Sequence, residues 1–286
     1  MATKIQFRRD TSNNWSNSNP VLSQGEPGVE TNSGQIKIGN GSDHWNCLPY
    51  VSSGVKDNNA IAIGNQAGRD SQCCEAVAVG YRGGETCQSC YAVAIGSYAG
   101  QLDQCYGAVA VGYEAGRYCQ REQAVAIGWE AGYANQRCYA VAIGNYAGEC
   151  NQRYSSVAIG NNAGYYSQDS YAVAIGYQAG RYNQCCQSVA IGYRAGYDSQ
   201  CSGSIAIGEY AGEYWQGWHS IAIGSAAGQG CCCCSCYQQR FLAIAIGRSA
   251  GNCSQDHGTV AIGHLAGQWG QNYDSVAIGR GAGRYY

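Results

Sequence analysis

Cysteine is the residue type with the most chemistry to offer in this chain. There are eighteen, and five fall in one run: Cys231, Cys232, Cys233, Cys234 and Cys236. A structural zinc site needs thiolates in two short-spaced pairs separated by a longer spacer. The run has no second pair of that kind, and Cys87 and Cys90 form an isolated C-x-x-C. These cysteines are expected to be surface groups, some able to cross-link as disulfides. Cys73 or Cys74 with Cys90 is one such pairing. His44, His219, His257 and His264 are not spaced as a ligand set. Glu114 and Glu130 stand sixteen residues apart, which places them on a repeated surface and not together in a cleft. Gly279-Arg280-Gly281-Ala282-Gly283 is the nearest approach to a phosphate loop, but no helical pattern follows it. No Ser-His-Asp grouping stands out. Catalytic residues, metal and cofactor are therefore all expected to be none, and the chain is not read as an enzyme.

Two other residue types recur at fixed intervals. Glutamine does so at Gln72, Gln88, Gln104, Gln120, Gln136, Gln152, Gln168, Gln184, Gln200, Gln216, Gln255 and Gln271. Stacked in register, such amides form a ladder that hydrogen-bonds along the stacking axis. Aromatics recur as Tyr98, Tyr113, Trp129, Tyr146, Tyr177, Tyr193 and Tyr210. They can cover and stabilise a scaffold, or serve as a recognition surface in which rigid rings give contact area at low entropy cost.

The intervals come from one sixteen-residue unit, A-V-A-I-G-x-x-A-G-x-x-x-Q-x-x-x, repeated fourteen times between Ala60 and Tyr286. A fixed period of this size marks a solenoid. Each unit opens with a short β-branched run of period two, a strand signal. Two glycines follow, suited to corners. The expectation is a parallel β-solenoid rising ~4.8 Å per coil, roughly 65 Å in all. The eleventh unit carries an insertion around residues 229–242, which should loop out from one face.

In each unit Val and Ile point one way and the alanines the other. Two large aliphatics per coil make a thin core, so the flat alanine face is expected to pack against other chains. A three-fold oligomer is the natural closed arrangement for a fibre. The last unit stops after its strand. The exposed edge would favour head-to-tail addition of further copies.

These S/A-V-A-I-G units resemble the head repeats of trimeric autotransporter adhesins and similar repeats in phage fibres, over residues 60–286. The resemblance implies a left-handed, homotrimeric β-roll.

Residues 1–59 differ in composition. All three Lys and all three Pro lie there, with one of the eighteen Cys. Residues 1–50 are read as an N-terminal trimerisation and attachment domain, 51–59 as a linker and 60–286 as the repeat domain. Lys4–Arg8 and Gly34–Gly39 read as strands, and Trp15, Trp45, Leu48 and Tyr50 as a small core. T-K-I-Q-F-R-R-D-T at 3–11, Trp15, N-P-V-L at 19–22, G-E-P-G-V-E-T at 25–31, G-Q-I-K-I-G-N-G at 34–41 and W-N-C-L-P-Y at 45–50 together resemble the major tropism determinant N-terminal domain of phage tail fibres. Asp10, where glycine is usual, and Cys47 depart from that pattern. The resemblance implies trimerisation and attachment to a virion.

Charge and hydropathy narrow the field. Seventeen Lys and Arg against nineteen Asp and Glu give a net charge of −2, so no broad basic field points to nucleic acid. Apolar runs of four or five residues are far short of a membrane span. No signal-peptide pattern opens the chain, so release without export is expected, and the sequons at Asn14, Asn40 and Asn252 carry little weight. The fold class expected is all-β, a small N-terminal β domain followed by a parallel β-roll. The function expected is virion fibre structure with adhesion to a host-surface receptor or glycan. The alternative is a self-assembling extracellular filament joined head-to-tail.

Overall fold

A computed structural model of the chain describes residues 7–48, 50–51, 59–230 and 239–284. The chain forms two compact units, Met1–Asp57 and Asn58–Tyr286. The Cys231–Cys236 run, Pro49, most of the linker and the final two tyrosines lie outside the described residues.

The first unit is a three-stranded sheet of Arg8–Asp10, Pro27–Glu30 and Ile36–Ile38. The first pair is parallel and the second antiparallel. Of the strand expected over Lys4–Arg8, residues 4–6 lie outside the described residues, and the described strand runs on from Arg8 to Asp10. A helix not foreseen from the sequence spans Ser12–Ser18, with Thr11 Oγ1 accepting from Asn14 N and Asn19 closing it in the left-handed conformation. Its one buried residue, Trp15, stacks on Trp45 with centroids 4.1 Å apart. Leu22 and Leu48 complete the core. Tyr50 is 41% exposed and not part of it. Leu22 fills that role because it sits beside the close approach of Gly28 to the Trp45 ring.

The second unit is a parallel β-solenoid. Its main sheet has fourteen strands, from Ile61–Ile63 to Val276–Ile278, each paired in register with the coil before and after. Val141 faces Val157 and Ala142 faces Ala158. Register survives the insertion, where Ile221 pairs with Ile244. A second, interrupted ladder runs opposite through segments such as Asp70–Gln72, Tyr166–Gln168 and Cys253–Gln255, joined in part by single bridges.

The sidedness of the strand is the reverse of the expectation. The alanines face into the coil, and Ala142 and Ala147 are fully buried in one continuous alanine cluster. Valine and isoleucine face out, with Ile95 40% and Ile127 38% exposed. The alanine face is therefore no inter-chain contact. The physical reason is width. The two legs of a sixteen-residue coil lie so close that a methyl group and a glutamine amide fill the space between them. A buried methyl contributes only about 0.8 kcal/mol, so hydrogen bonds along the axis carry much of the cohesion.

The two glycines per coil have distinct tasks. A Cβ on Gly144, at φ +128°, would lie 2.8 Å from the carbonyl oxygen of Gly160 in the next coil. A Cβ on Gly148, at φ +50°, would lie 2.8 Å from Gln152 Oε1. Three further positions are left-handed without being glycine, here Tyr146 (φ 54°), Asn151 (57°) and Ser155 (52°). Left-handed backbone disfavours most side chains but suits Asn, Asp and Ser. The position of Asn151 is accordingly filled by Ser71, Asp103, Asn135, Ser167 and Asn183 in other coils, although Cys87, Cys119 and Trp215 also occupy it.

Candidate recognition surface

The glutamines lie inside the solenoid, fully or almost fully buried. Gln152 Nε2 donates to Gln168 Oε1 (3.1 Å), to Val141 O (2.8 Å) and to Ser156 O (3.3 Å), and Gln152 Oε1 accepts from Gln136 at 3.0 Å. The amide chain runs unbroken from Gln88 to Gln216. It resumes with Gln239, Gln255 and Gln271. Gln239 was missed because the insertion hides its position when units are counted forwards. Counted backwards it stands four residues before Ala243, as Gln72 does before Ala76. The insertion breaks the amide chain, and Gln239 Oε1 is buried with no partner.

The seven aromatic residues singled out from the sequence share one corner but not one environment. Tyr113, Trp129, Tyr177 and Tyr193 are exposed, whereas Tyr98, Tyr146 and Tyr210 are half-buried. The structure joins six of them into two runs. Tyr98, Tyr113 and Trp129 form one, with Tyr113 stacked on Trp129 at 4.3 Å. Tyr177, Tyr193 and Tyr210 form the other. Tyr146 turns away to Tyr165. Besides shorter stacks such as Tyr139, Tyr154 and Tyr171, two columns of four rings were missed. One climbs Tyr165, Tyr182, Tyr197 and Tyr214 in edge-to-face contacts. The other runs Trp218, Phe241, His257 and Tyr273. Their positions alternate or change type between coils, so no single repeat position reveals them.

A polar column follows the second glycine of each coil. Arg69 pairs with Glu85 at 3.0 Å, Gln101 donates to Glu85 at 2.7 Å, and Arg117 donates to Gln101 at 2.8 Å. Higher up, Gln229 donates to Glu213 at 2.8 Å and Asn252 to Gln229 at 3.1 Å. Glu85 and Glu213 are buried here. Mid-column, burial raises the carboxyl pKa of Glu149. Burial, followed by the Glu149 charge, pushes the Tyr165 phenol up to about 12. The residues vary along the sequence, but in these two stretches each pairs with its axial neighbour.

A groove runs along the side of the solenoid between the second ladder and the corner that leads back to the main strand. Its widest part encloses about 990 Å³ and is lined by Asn135, Arg137, Cys138, Asn151, Arg153, Tyr154, Ser167, Asp169, Ser170, Asn183, Gln184 and Cys185. A second, smaller hollow of about 310 Å³ lies at the same repeat positions from the next coil on, with Trp215 and Trp218 exposed in its wall.

Comparison with known proteins then bears on the first unit. Residues 5–43 match the major tropism determinant N-terminal domain. Neither the curated proteins nor the solved structures gave a match.

Within this tropism-determinant domain the geometry explains one departure seen in the sequence. Asp10 Oδ1 accepts from Thr11 N (2.8 Å) and from Asn14 Nδ2 (2.7 Å), tying the first strand to the start of the helix. Cys47, the other departure, is an exposed thiol. Lys37 is nearly buried, donates to Trp45 O at 2.9 Å and lies 4.2 Å from the Tyr50 ring. Burial lowers its pKa, which the Glu30 charge partly offsets. Tyr50 in turn donates to Glu30 Oε1 at 2.7 Å. The cluster locks the strands around the tryptophan pair.

Among the described residues, the cysteines of the solenoid are free thiols on or near the surface. Cys74 and Cys90 occupy the same place in successive coils, with Sγ atoms 2.9 Å apart. Among the described residues no group of three or more His, Cys, Asp or Glu could hold a metal ion, and no helix is long and apolar enough to cross a membrane.

Proposed function

We propose that this chain is a fibre protein of a virion, anchored by its tropism-determinant domain and adhering to a host surface through the side of its solenoid. The observation that carries this reading is the match over residues 5–43, ahead of a solenoid that presents a constant scaffold and a variable exterior. The seven corner aromatics belong to that exterior and are proposed recognition residues.

The working form is a homotrimer. Its contact is the outward Val and Ile stripe, with Ile63, Ile95, Ile127 and Ile207 all substantially exposed. Over fourteen coils the stripe measures roughly 60 Å by 7 Å. A contiguous apolar patch of that size, roughly 420 Å², falls in the range of the largest patch on a monomer, roughly 300–600 Å², which is often a functional contact. Three such stripes meeting on one axis close the assembly. The tropism-determinant domain supplies the join to the particle.

Light scattering on the purified chain measures the first point: a monomer at micromolar concentration refutes the trimer. Immunogold labelling of particles measures the second. Label at a virion tail supports the fibre, and label along free fibres favours a purely structural filament.

A further inference from the structure

We infer that the side groove is a binding site for an extended acidic glycan, lying along the solenoid axis with its negative groups on Arg137 and Arg153, which line the groove, and on Arg121 at the same position one coil earlier. This deepens the adhesion reading by naming a ligand class, and depends on it only for the biological role.

The first observation is the row itself. Arg121, Arg137 and Arg153 occupy one position in three successive coils. Their backbones are locked together, each N–H donating at 2.9 Å to the glutamine carbonyl of the following coil. The three cationic side chains therefore rise side by side, one coil apart. Like charges in directly adjacent in-register positions repel. Elsewhere several arginines of the solenoid have an acid beside them: Glu85 beside Arg69 at 3.0 Å, Glu114 beside Arg117 at 2.8 Å, Glu213 beside Arg194 at 2.9 Å. The row receives one acid, Asp169, at its upper end, 3.5 Å from Arg153. Arg121 and Arg137 are exposed and form no ion pair among the described residues. The row is thus a linear array of exposed positive charge, answered among the described residues by one acid at its upper end and open to an anionic ligand.

The second observation is what lies beside the row. Asn135, Asn151 and Asn183 line the same groove with amides that donate and accept, and Asn135 reaches Asn151 only at 3.4 Å. These groups suit hydroxyls, not a bare polyanion. Further along, the exposed faces of Trp215 and Trp218 enter the wall of the second hollow. Flat aromatic faces next to amides and cations match a pyranose, which has an apolar face, hydroxyl edges and, in an acidic sugar, a carboxylate or sulfate. From Asn135 to Trp215 is five coil steps, roughly 24 Å at the inter-strand spacing, enough for a short run of sugar residues. Nucleic acid fits less well, because the whole chain carries −2 and duplex binding relies on many phosphate contacts.

Affinity electrophoresis of the full-length chain tests this with four probes: polygalacturonate, heparin, neutral dextran and a DNA duplex. Retardation by one or both acidic glycans but not by dextran is expected, and the stronger of the two identifies carboxylate or sulfate as the partner. The Arg121→Gln/Arg137→Gln double variant should weaken that binding about tenfold or more, as befits loss of charge-assisted hydrogen bonds. Trp215→Ala should weaken the glycan and leave any DNA retention unchanged. Circular dichroism and oligomeric state should be unaltered, since all three side chains are exposed. No retardation by either acidic glycan overturns the inference, as does binding indifferent to the double variant or DNA binding as tight as the glycan. Particles carrying the double variant separate the two proposals. Attachment to cells that survives the loss of glycan binding sinks the groove and leaves the adhesion reading intact. Glycan binding by a chain absent from virions does the reverse.

Discussion

Gln152→Ala and Gln216→Ala should differ, although both remove the same buried amide. Gln152 sits inside an unbroken chain. Truncating it removes the donor to Gln168 Oε1 (3.1 Å) and to Val141 O (2.8 Å), and leaves Gln136 Nε2 one acceptor short. A buried acceptor stripped of its donor costs about 1–3 kcal/mol. Gln168 Oε1 loses its donor outright, whereas Ser156 O keeps Val141 N at 2.9 Å and Val141 O belongs to the ladder with the Val157–Ile159 strand. Gln216 sits where the insertion interrupts the chain. It donates to Ile205 O (2.7 Å) and Ser220 O (3.4 Å), and the next amide oxygen, Gln239 Oε1, lacks a partner already. Gln216→Ala therefore orphans one acceptor fewer and should be milder by about 1–3 kcal/mol. Because a solenoid unfolds in coupled segments, the assay is guanidinium unfolding together with hydrogen exchange in the flanking coils, with oligomeric state held equal. Equal destabilisation by the two variants, or none by Gln152→Ala, would show that the amide chain does not carry axial cohesion.

Three further outcomes are expected. Ala142→Leu overfills a fully buried site and should destabilise the coil by about 1–3 kcal/mol or more, whereas Val141→Lys on the outer face should leave coil folding intact and dissociate the oligomer; light scattering and circular dichroism distinguish these, and the opposite assignment would restore the alanine face as the contact. Mild oxidation should join Cys74 and Cys90, 2.9 Å apart, each thiol giving up one proton and one electron to the oxidant. The Cys74 hydrogen bond lowers the Cys90 pKa, so alkylation should reach Cys90 before Cys74, and peptide mass spectrometry reads both results. Tyr165 should hold its proton to about pH 12, against about 10 in the unfolded chain. The folded state then binds the extra proton, so this contribution is complete below about pH 10 and is lost as pH rises to about 12. Tyr165→Phe should flatten the alkaline fall in stability, and an unchanged slope would dismiss the effect.

The repeat made the solenoid, its register and the glutamine positions legible, because one backbone task recurs every sixteen residues and only certain side chains satisfy it. The same repeat misled on sidedness. Large aliphatics usually mark the inside, but the Val141–Ile143 strand turns Ala142 inward because the interior of so narrow a coil admits little more than a methyl. The left-handed positions were written in part in the recurring Asn, Asp and Ser before most of the ladder glutamines, a signal visible once the cost of positive φ is considered. In the N-terminal unit the short helix escaped notice. Ser12–Ser18 carries one buried side chain and so shows no apolar periodicity, and its cap at Thr11 was the available sign.

What remained hidden has a common cause. Columns form between residues sixteen apart, so their meaning lies in pairs and not in positions. Arg69, Glu85, Gln101 and Arg117 look like free variation at one place of the repeat, yet each is chosen to suit the residue above it. Such heterotypic pairing does what identical ladders cannot. A slip by one coil would keep every Gln–Gln contact but would set Arg69 against Gln101 and Glu85 against Arg117, and would carry the Tyr165 column out of step. The glutamine chain thus supplies cohesion without fixing which coil follows which, and the variable columns fix the order. Against that background the arginine row of the groove stands out physically. It is the place where three successive coils repeat one charge and the acid that several arginines elsewhere have beside them is limited to a single aspartate at one end.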